Sequence, residues 1–293
     1  MGVNEIFIET RAGKIWGCVF GKEKEGIPLL VLHGGPGFLT MTETVEDFAE
    51  DRPVYFYNQL GSHRSDKALD KEDYTLEHFV EELSDIRKKL GLKEVVLMGF
   101  SWGTALICSY LLHKKPEGVK GLILSGPILS SARWGKDQRE NIKRMPQVVQ
   151  EAIEEGESRS DYGEAYESAM MAYYQKHLCR IDPWPESLNE TFPKLNMDVY
   201  MTMWGPSEFT ITGKLKDFDV MDRVSEIDSP VLLTCGDMDE ASPKTCKDYQ
   251  LAFENASLAV IPNASHLHQV EQPEIYKLVV TQFLHNLEKQ IGE

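Results

Sequence analysis

The chain has 293 residues, of which 42% are hydrophobic and 27% charged, so it is long and apolar enough to fold around a sizeable core. Its 47 acidic residues outnumber its 31 basic residues, and the formal net charge of -16 excludes electrostatic affinity for nucleic acid or for an anionic membrane. No stretch approaches the roughly 18 uninterrupted apolar residues of a membrane-spanning helix.

Strand and helix patterns alternate along the first half of the chain. Two short strands at 5–10 and 14–20 are predicted to form an opening hairpin. Continuous apolar runs then predict strands buried on both faces, and apolar residues at helical spacing predict the helices between them. The predicted strands lie within 27–35, 52–61, 94–100 and 119–127, and the predicted helices within 75–92 and 104–116.

The same alternation returns near the end, with strands at 229–236 and 256–262 and an amphipathic helix at 273–290. Such alternation predicts a mostly parallel central sheet flanked by helices. From about 129 to 215 the chain is instead helical and polar, without a buried-strand run. We therefore predict an α/β core formed by residues 1–128 and 216–293, with an inserted helical cap at 129–215.

The stretch "GFSWG" places Ser101 between Gly99 and Gly103, at the point where a buried strand runs into a helix. This is the G-x-S-x-G pattern in the strand–turn–helix context that a nucleophile elbow requires. Side chains at the two glycines would crowd such a sharp turn, and the helix start provides positive dipole and free N–H groups. Ser101 is therefore the candidate nucleophile.

A nucleophilic serine needs a base and an acid that orients the base. In this architecture they follow in the order serine, acid, histidine, in loops after later strands. The segment after the strand at 229–236 supplies three acids, and the segment after the last strand supplies two histidines. The candidates are Asp237, Asp239 and Glu240, and His266 and His268.

Five motifs together resemble the proline iminopeptidase (prolyl aminopeptidase) family of α/β-hydrolases, which includes the tricorn-interacting aminopeptidase of archaea. The similarity extends over essentially the whole chain. The motifs are "HGGPG" at 33–37, "GFSWG" at 99–103, "WGPSEFTITGKLKDFD" at 204–219, "GDMDEASP" at 236–243 and "ASHLHQVEQPE" at 264–274. The resemblance implies the α/β-hydrolase fold with an inserted helical cap.

The resemblance also implies the roles of individual residues. The spacing within the family's segments selects Asp239 as the acid and His266 as the base of a triad with Ser101. An oxyanion hole is expected from the backbone N–H groups of Trp102 and Gly35. Glu208 and Glu240 are expected to bind the free N-terminal ammonium of the substrate, because a desolvated ammonium needs oppositely charged acceptors.

The implied activity is that of a serine aminopeptidase that releases an N-terminal residue, proline or another apolar residue such as leucine or alanine, from short peptides. Four residues differ from the family's usual pattern, and we expect their loops to border the substrate pocket: Asn58, Leu60, His63 and Phe100. The preferred N-terminal residue is therefore left open. A carboxylesterase that uses the same triad on small esters is the alternative. The expected partners are short peptides with a free N-terminus, without nucleic acid or membrane.

The five cysteines are scattered, odd in number and without a Cys-x-x-Cys spacing, which indicates neither a zinc site nor a disulfide framework. The first residues lack the basic segment and the apolar run of a signal peptide. We therefore expect a cytoplasmic enzyme with reduced thiols and without a metal or another cofactor.

Overall fold

The computed structural model describes residues 4–39 and 41–292, and within them eight strands form one sheet in the order β1-β2-β4-β3-β5-β6-β7-β8. The β1–β2 and β2–β4 pairs are antiparallel, and every other pair in this sheet is parallel. The strands are β1 (Asn4–Thr10), β2 (Gly13–Phe20), β3 (Leu29–Leu32), β4 (Val54–Tyr57), β5 (Val95–Phe100), β6 (Val119–Ser125), β7 (Val231–Gly236) and β8 (Ala256–Ile261).

Helices cover the sheet and fill the segment between β6 and β7. The α-helices are α1 (Leu76–Lys89), α2 (Trp102–Lys114), α3 (Ser131–Ile142), α4 (Gln147–Arg159), α5 (Glu164–His177), α6 (Glu186–Thr191), α7 (Met197–Met203), α8 (Pro243–Ala252), α9 (His268–Glu271) and α10 (Pro273–Gly292). Short 3-10 turns lie at Thr42–Thr44, Glu46–Glu50, Lys71–Asp73, Phe192–Lys194 and Val224–Glu226. Within the described residues, no helix combines the length and the apolar character needed to cross a membrane.

The strands and helices predicted from the sequence are confirmed. Helix α1 begins where predicted, because the Thr75 hydroxyl accepts a hydrogen bond from the His78 N–H. Gly91, at φ +68°, follows its end. Helix α8 was not predicted; it begins at Pro243, and the Ser242 hydroxyl caps it by accepting from the Thr245 N–H.

Alternate residues of the central strands pack on opposite faces of the sheet, as the two-residue period of a strand requires. Leu30, Leu97 and Leu122 belong to the core on the α1–α2 face. Val31 and Met98 belong to the core on the other face, which α10 covers. Both faces are therefore buried, which explains why these strands appear as continuous apolar runs.

The segment between β6 and β7 has its own hydrophobic cluster, formed by α3, α4, α5 and Phe209. Trp134 and Trp204 pack instead into the core on the α1–α2 face, with ring centroids 6.1 Å apart. The helical segment is thus anchored to the sheet at both of its ends. Its division from the core at 129 and 215 stays a prediction, and residues 1–3, 40 and 293 of that division lie outside the described residues.

Candidate active site

Ser101 lies at the turn between β5 and α2 and has backbone angles of φ +52° and ψ -119°. Positive φ is uncommon for a residue with a side chain and costs energy that the surrounding structure must offset. Here the Ser101 N–H donates to the Ser125 carbonyl at 2.8 Å, and the Ser101 carbonyl accepts from the Thr104 N–H at 2.9 Å. Hydrogen bonds to the N–H and to the carbonyl of Ser101 therefore stabilise the strained turn.

The glycines on either side of Ser101 are required by close backbone approaches. A Cβ on Gly99 would lie 2.7 Å from the carbonyl of Gly103, and a Cβ on Gly103 would lie 2.5 Å from the Leu32 oxygen. The prediction that side chains there would crowd the turn is confirmed. The tight contact also brings α2 against the loop that follows β3.

Asp239 and His266 meet at the carboxyl edge of the sheet, in the loops after β7 and β8. The His266 Nδ1 lies 2.7 Å from the Asp239 Oδ1. The Asp239 carboxylate also accepts from the N–H groups of Ala241 and Gly236, both at 2.9 Å. Both groups are buried, so the carboxylate is fixed in direction and points one oxygen at the imidazole.

The other acids and the other histidine of these loops have different surroundings. Asp237 accepts from the N–H groups of Asn263 and Ala264, and so ties the two loops together. His268 places Nε2 2.8 Å from the Thr234 hydroxyl, while its Nδ1 lies 3.5 Å from the Asp239 carboxylate. Of the two histidines, His266 has the short contact to Asp239 and also lines the cavity described below.

The charge of Asp239 sets the protonation of His266. Burial by itself lowers the pKa of His266, but the charge and the hydrogen bond of Asp239 outweigh it and raise that pKa to about 9. Burial raises the pKa of Asp239, yet His266, with a smaller effect of His268, holds it below its usual range. The two groups thus form a tightly coupled pair in which the carboxylate stays ionised.

The backbone N–H groups of Trp102 and Gly35 are the candidates for an oxyanion hole. Trp102 is the first residue of α2, and its amide is one of the four that a helix start leaves without an intrahelical acceptor. Gly35, at φ +108°, lines the same cavity as Ser101. A Cβ on Gly35 would lie 2.7 Å from the Phe38 nitrogen, so only glycine fits this loop.

A cavity of about 160 Å³ is lined by Ser101, His266 and Gly35. Ser101, His266 and Glu208 contribute polar atoms to its wall. Most of its other lining residues are apolar and come from the loop after β3 and from the helical segment, among them Phe38, Leu39, Met41, Phe192, Leu195 and Met197. Such a site suits a largely apolar ligand with a few polar groups that fix its orientation.

Glu208 is the carboxylate on the cavity wall. Its Oε1 accepts from the Tyr200 hydroxyl at 2.6 Å, and its N–H donates to the Tyr174 hydroxyl at 3.1 Å. Burial raises the pKa of Glu208, although the Tyr200 hydrogen bond and the nearby His266 act in the opposite direction. Tyr200 therefore holds the side chain of Glu208 and Tyr174 holds its backbone, and the carboxylate interacts electrostatically with the His266 imidazole.

Glu240 is fully buried and is not among the residues that line the cavity. Neither of its carboxylate oxygens has a hydrogen-bond partner among the described residues. Burial and the charge of Glu208 raise its pKa well above the usual value, against the opposing effect of His266. A buried carboxyl group without a hydrogen-bond partner is costly, and a group with so perturbed a pKa is a candidate for a functional role.

The segment that departs from the family's pattern lies mostly away from the cavity. Asn58 and Leu60 are buried and His63 is exposed, and none of the three lines the cavity. The expectation that this loop borders the substrate pocket is therefore wrong, because the segment packs behind the loop after β3. Phe100 does lie on the cavity wall.

Gly126, which was not predicted as a site residue, makes room for the base. Gly126 follows β6 with φ +57°, and a Cβ there would lie 2.5 Å from Cε1 and 2.7 Å from Nδ1 of His266. The only signal in the sequence was a glycine at the end of a strand.

We expect Gly126→Ala to lower kcat/KM by about 100-fold, since the methyl group would displace an imidazole that Asp239 holds in place. Steady-state kinetics would measure the loss. Gly91→Ala is the matched control, because Gly91 also has positive φ, at +68°, but a Cβ there meets nothing within 4 Å. Equal losses in the two variants would mean that backbone strain, and not displacement of the His266 imidazole, lowers the activity.

Within the described residues, no group of three or more His, Cys, Asp or Glu side chains is placed to hold a metal ion. The five cysteines, all of which the structure describes, are buried and free. The site therefore offers a serine, an imidazole and carboxylates as its reactive groups, arranged at the carboxyl edge of a parallel sheet.

A serine elbow, a histidine–aspartate pair in the later loops and a mostly parallel sheet define an α/β hydrolase. The sequence profile of the α/β hydrolase fold matches residues 27–273. A relative from Heyndrickxia coagulans named proline iminopeptidase is 39% identical, over 97% of this chain and 99% of its own. A relative of the same name from Clostridium botulinum is 35% identical over 88% of this chain and 89% of its own.

The crystal structure of a proline iminopeptidase from Mycobacterium smegmatis superimposes with a TM-score of 0.88 at 28% identity, covering 98% of this chain and all of that one. The chain belongs to the proline iminopeptidase family of α/β hydrolases. The resemblance that its motifs indicate is thereby confirmed, as is the predicted fold class.

Proposed function

We propose that the protein is a serine aminopeptidase that removes an N-terminal residue, proline or another apolar residue such as leucine or alanine, from short peptides through an acyl-enzyme. The observation that carries the proposal is a single cavity that holds the elbow serine, the Asp239-bound His266 and the carboxylate of Glu208. The names of the relatives favour proline as the released residue.

In the proposed mechanism, the Ser101 Oγ attacks the carbonyl carbon of the first residue while His266 takes the serine proton. His266 then gives that proton to the leaving amine, and a water repeats the two steps to hydrolyse the ester. Asp239 keeps the imidazole in the tautomer with the proton on Nδ1 and stabilises the imidazolium. The N–H groups of Trp102 and Gly35 bind the oxyanion, each contributing about 2.7–4 kcal/mol of barrier reduction.

In this proposal, Glu208 and Glu240 recognise the free N-terminal ammonium of the substrate. Glu208 faces the cavity, so it takes the ammonium directly, and the bound ammonium favours the ionised form of Glu240, whose oxygens have no hydrogen-bond partner among the described residues. Burial raises the pKa of both carboxyl groups, and the charge of Glu208 raises that of Glu240 further. A bound ammonium offsets this cost, and so favours substrates whose amine is free and protonated.

Residues 129–215 act as a cap in this proposal, because their apolar side chains close the cavity opposite the sheet. A cavity covered in this way suits short, flexible peptides. We place the enzyme in the cytoplasm, since five free cysteines fit a reducing compartment. The charge of -16 supports peptides, and not nucleic acid, as partners.

The test is hydrolysis of coumarin amides of proline, leucine, alanine and phenylalanine, beside their N-acetylated forms and a short p-nitrophenyl ester. We expect turnover of the free-amine amides alone, with proline in first place. Glu208→Gln is expected to lower kcat/KM for these amides by about 30- to 5,000-fold, because it removes one partner of a desolvated ion pair worth about 2–5 kcal/mol.

Glu157→Gln is the matched control for that loss. Glu157 is a carboxylate of the same helical segment that bonds Thr210, and it does not line the cavity. If the acetylated amides or the ester are cleaved as well as the free-amine amides, the carboxylates do not read an N-terminus. The protein would then act as a carboxylesterase with the same triad.

A further inference from the structure

Gln59 lies just after β4 and is fully buried between the two segments that carry the oxyanion donors. The Trp102 Nε1–H donates to the Gln59 Oε1 at 2.8 Å. The Gln59 Nε2 donates to the His33 carbonyl at 3.2 Å, and the Gln59 backbone N–H donates to the His33 Nε2 at 3.0 Å. One residue thus contacts both the elbow and the glycine loop.

The hydrogen-bond partners determine which atom carries each proton in these contacts. An indole N–H only donates and a carbonyl only accepts, so the Gln59 amide has one permitted orientation. The backbone N–H of Gln59 requires the His33 Nε2 to be an acceptor. His33 therefore carries its proton on Nδ1, which lies 2.7 Å from the Gly34 carbonyl oxygen. Burial lowers the pKa of His33 to about 4, which agrees with a neutral ring.

The contacts join segments that are far apart in the chain, and they add to the packing of Gly103 against the Leu32 carbonyl. Trp102 starts α2, 43 residues from Gln59, and His33 precedes Gly34 and Gly35 in the loop after β3, 26 residues from it. The side-chain amide spans the gap between the two segments. Any change in that gap would change the distance between the Trp102 and Gly35 N–H groups.

We propose that Gln59 is a positioning residue that holds the two oxyanion donors at the separation the reaction needs. The proposal rests on the acyl-transfer function given above. Gln59 touches neither the serine nor the substrate cavity, so it acts through Trp102 and through the loop of His33. An oxyanion hole is effective because its donors are preorganised, and a bridge between them supplies that preorganisation.

The test compares Gln59→Met, Trp102→Phe and the double variant. Gln59→Met keeps the length of the side chain and removes its hydrogen bonds, whereas Trp102→Phe removes the indole N–H and keeps the backbone N–H. We expect each single change to lower kcat by about 10- to 100-fold with KM within about threefold, because the donors are misplaced and not lost. The double variant should be little worse than the poorer single variant.

A boronic acid analogue of the substrate gives a second readout. Its affinity should fall in parallel with kcat/KM, since it binds as a tetrahedral adduct, while the affinity for the released amino acid stays constant. Phe79→Leu is the matched control for packing. The Phe79 ring contacts the Trp102 indole edge-on, with ring centroids 5.7 Å apart, but makes no hydrogen bond to it.

Unchanged kcat in both single variants, effects that multiply in the double variant, or an equal loss of kcat in Phe79→Leu would each overturn the role of Gln59. If Gln59→Met does not fold, Trp102→Phe and its boronate affinity decide the question alone. Hydrolysis of p-nitrophenyl acetate separates this result from the proposed function. It uses the same oxyanion hole, so Gln59 can be judged on the ester even if no free-amine amide is cleaved.

Discussion

Replacing Ser101 with alanine should lower kcat by about a millionfold while the protein stays folded. The variant loses only the Oγ, the atom that would form the acyl-enzyme. The contacts that hold the turn are made by the Ser101 backbone N–H and carbonyl, and alanine keeps both. The residual rate should come from the oxyanion hole and from substrate binding. Burst kinetics and thermal unfolding would measure the two expectations.

Ser109→Ala is the matched control for the loss of a buried hydroxyl. Ser109 lies on α2, the helix that follows Ser101. It is also buried, and its hydroxyl has no hydrogen-bond partner among the described residues. We expect full activity in this variant. A fluorophosphonate reagent should label the wild-type protein and not Ser101→Ala. Turnover above about one per cent of wild type in Ser101→Ala, with the label still bound, would show that another residue is the nucleophile.

The positions of the strands along the chain and the position of the elbow follow from the sequence for a physical reason. A strand buried on both faces has to be apolar throughout, so β3, β5, β6 and β7 are visible without any knowledge of their neighbours. The elbow is equally local, because Gly99 and Gly103 are required by contacts within a few residues or with the adjacent strand. An apolar strand run and the G-x-S-x-G elbow can each be recognised within a short segment of the sequence.

The choice among the acids and histidines is not local. His266 and His268 are two residues apart in one loop, and Asp237 and Asp239 are two apart in another, so periodicity cannot separate them. The family resemblance made the choice, and the geometry supports it through the 2.7 Å contact of His266 with Asp239.

The roles of Gln59 and Gly126 could not be predicted, because both depend on contacts between loops far apart in the chain. Gln59 meets Trp102 across 43 residues, and Gly126 makes space for His266. Such contacts leave neither a period nor a spacing in the sequence. For the same reason the loop with Asn58 and Leu60 was placed at the pocket, although it packs behind it.

Replacing Asp239 with asparagine should lower kcat by about 10,000-fold, since the amide cannot reproduce what the carboxylate does. The Asp239 oxygens accept from three donors, namely His266 and the N–H groups of Ala241 and Gly236. If the amide oxygen faces His266, the amide NH₂ group opposes the Gly236 N–H. If the NH₂ group faces His266, it donates to Nδ1 and moves the imidazole proton to Nε2, where the base must accept.

The pH dependence of kcat/KM should also change in Asp239→Asn, in a direction that the charge of Asp239 determines. His266 must be neutral to accept the serine proton, and its pKa is raised to about 9, so kcat/KM of the wild type for p-nitrophenyl acetate should increase as the pH rises toward about 9. Asp239→Asn removes the charge that raises this pKa most, so the pKa falls and the increase in activity should occur at lower pH. Because this ester carries no amine, both profiles report the titration of the enzyme alone. A variant that keeps the wild-type profile and loses less than about tenfold in kcat would mean that Asp239 does not set the protonation of the base, and that another carboxylate orients His266.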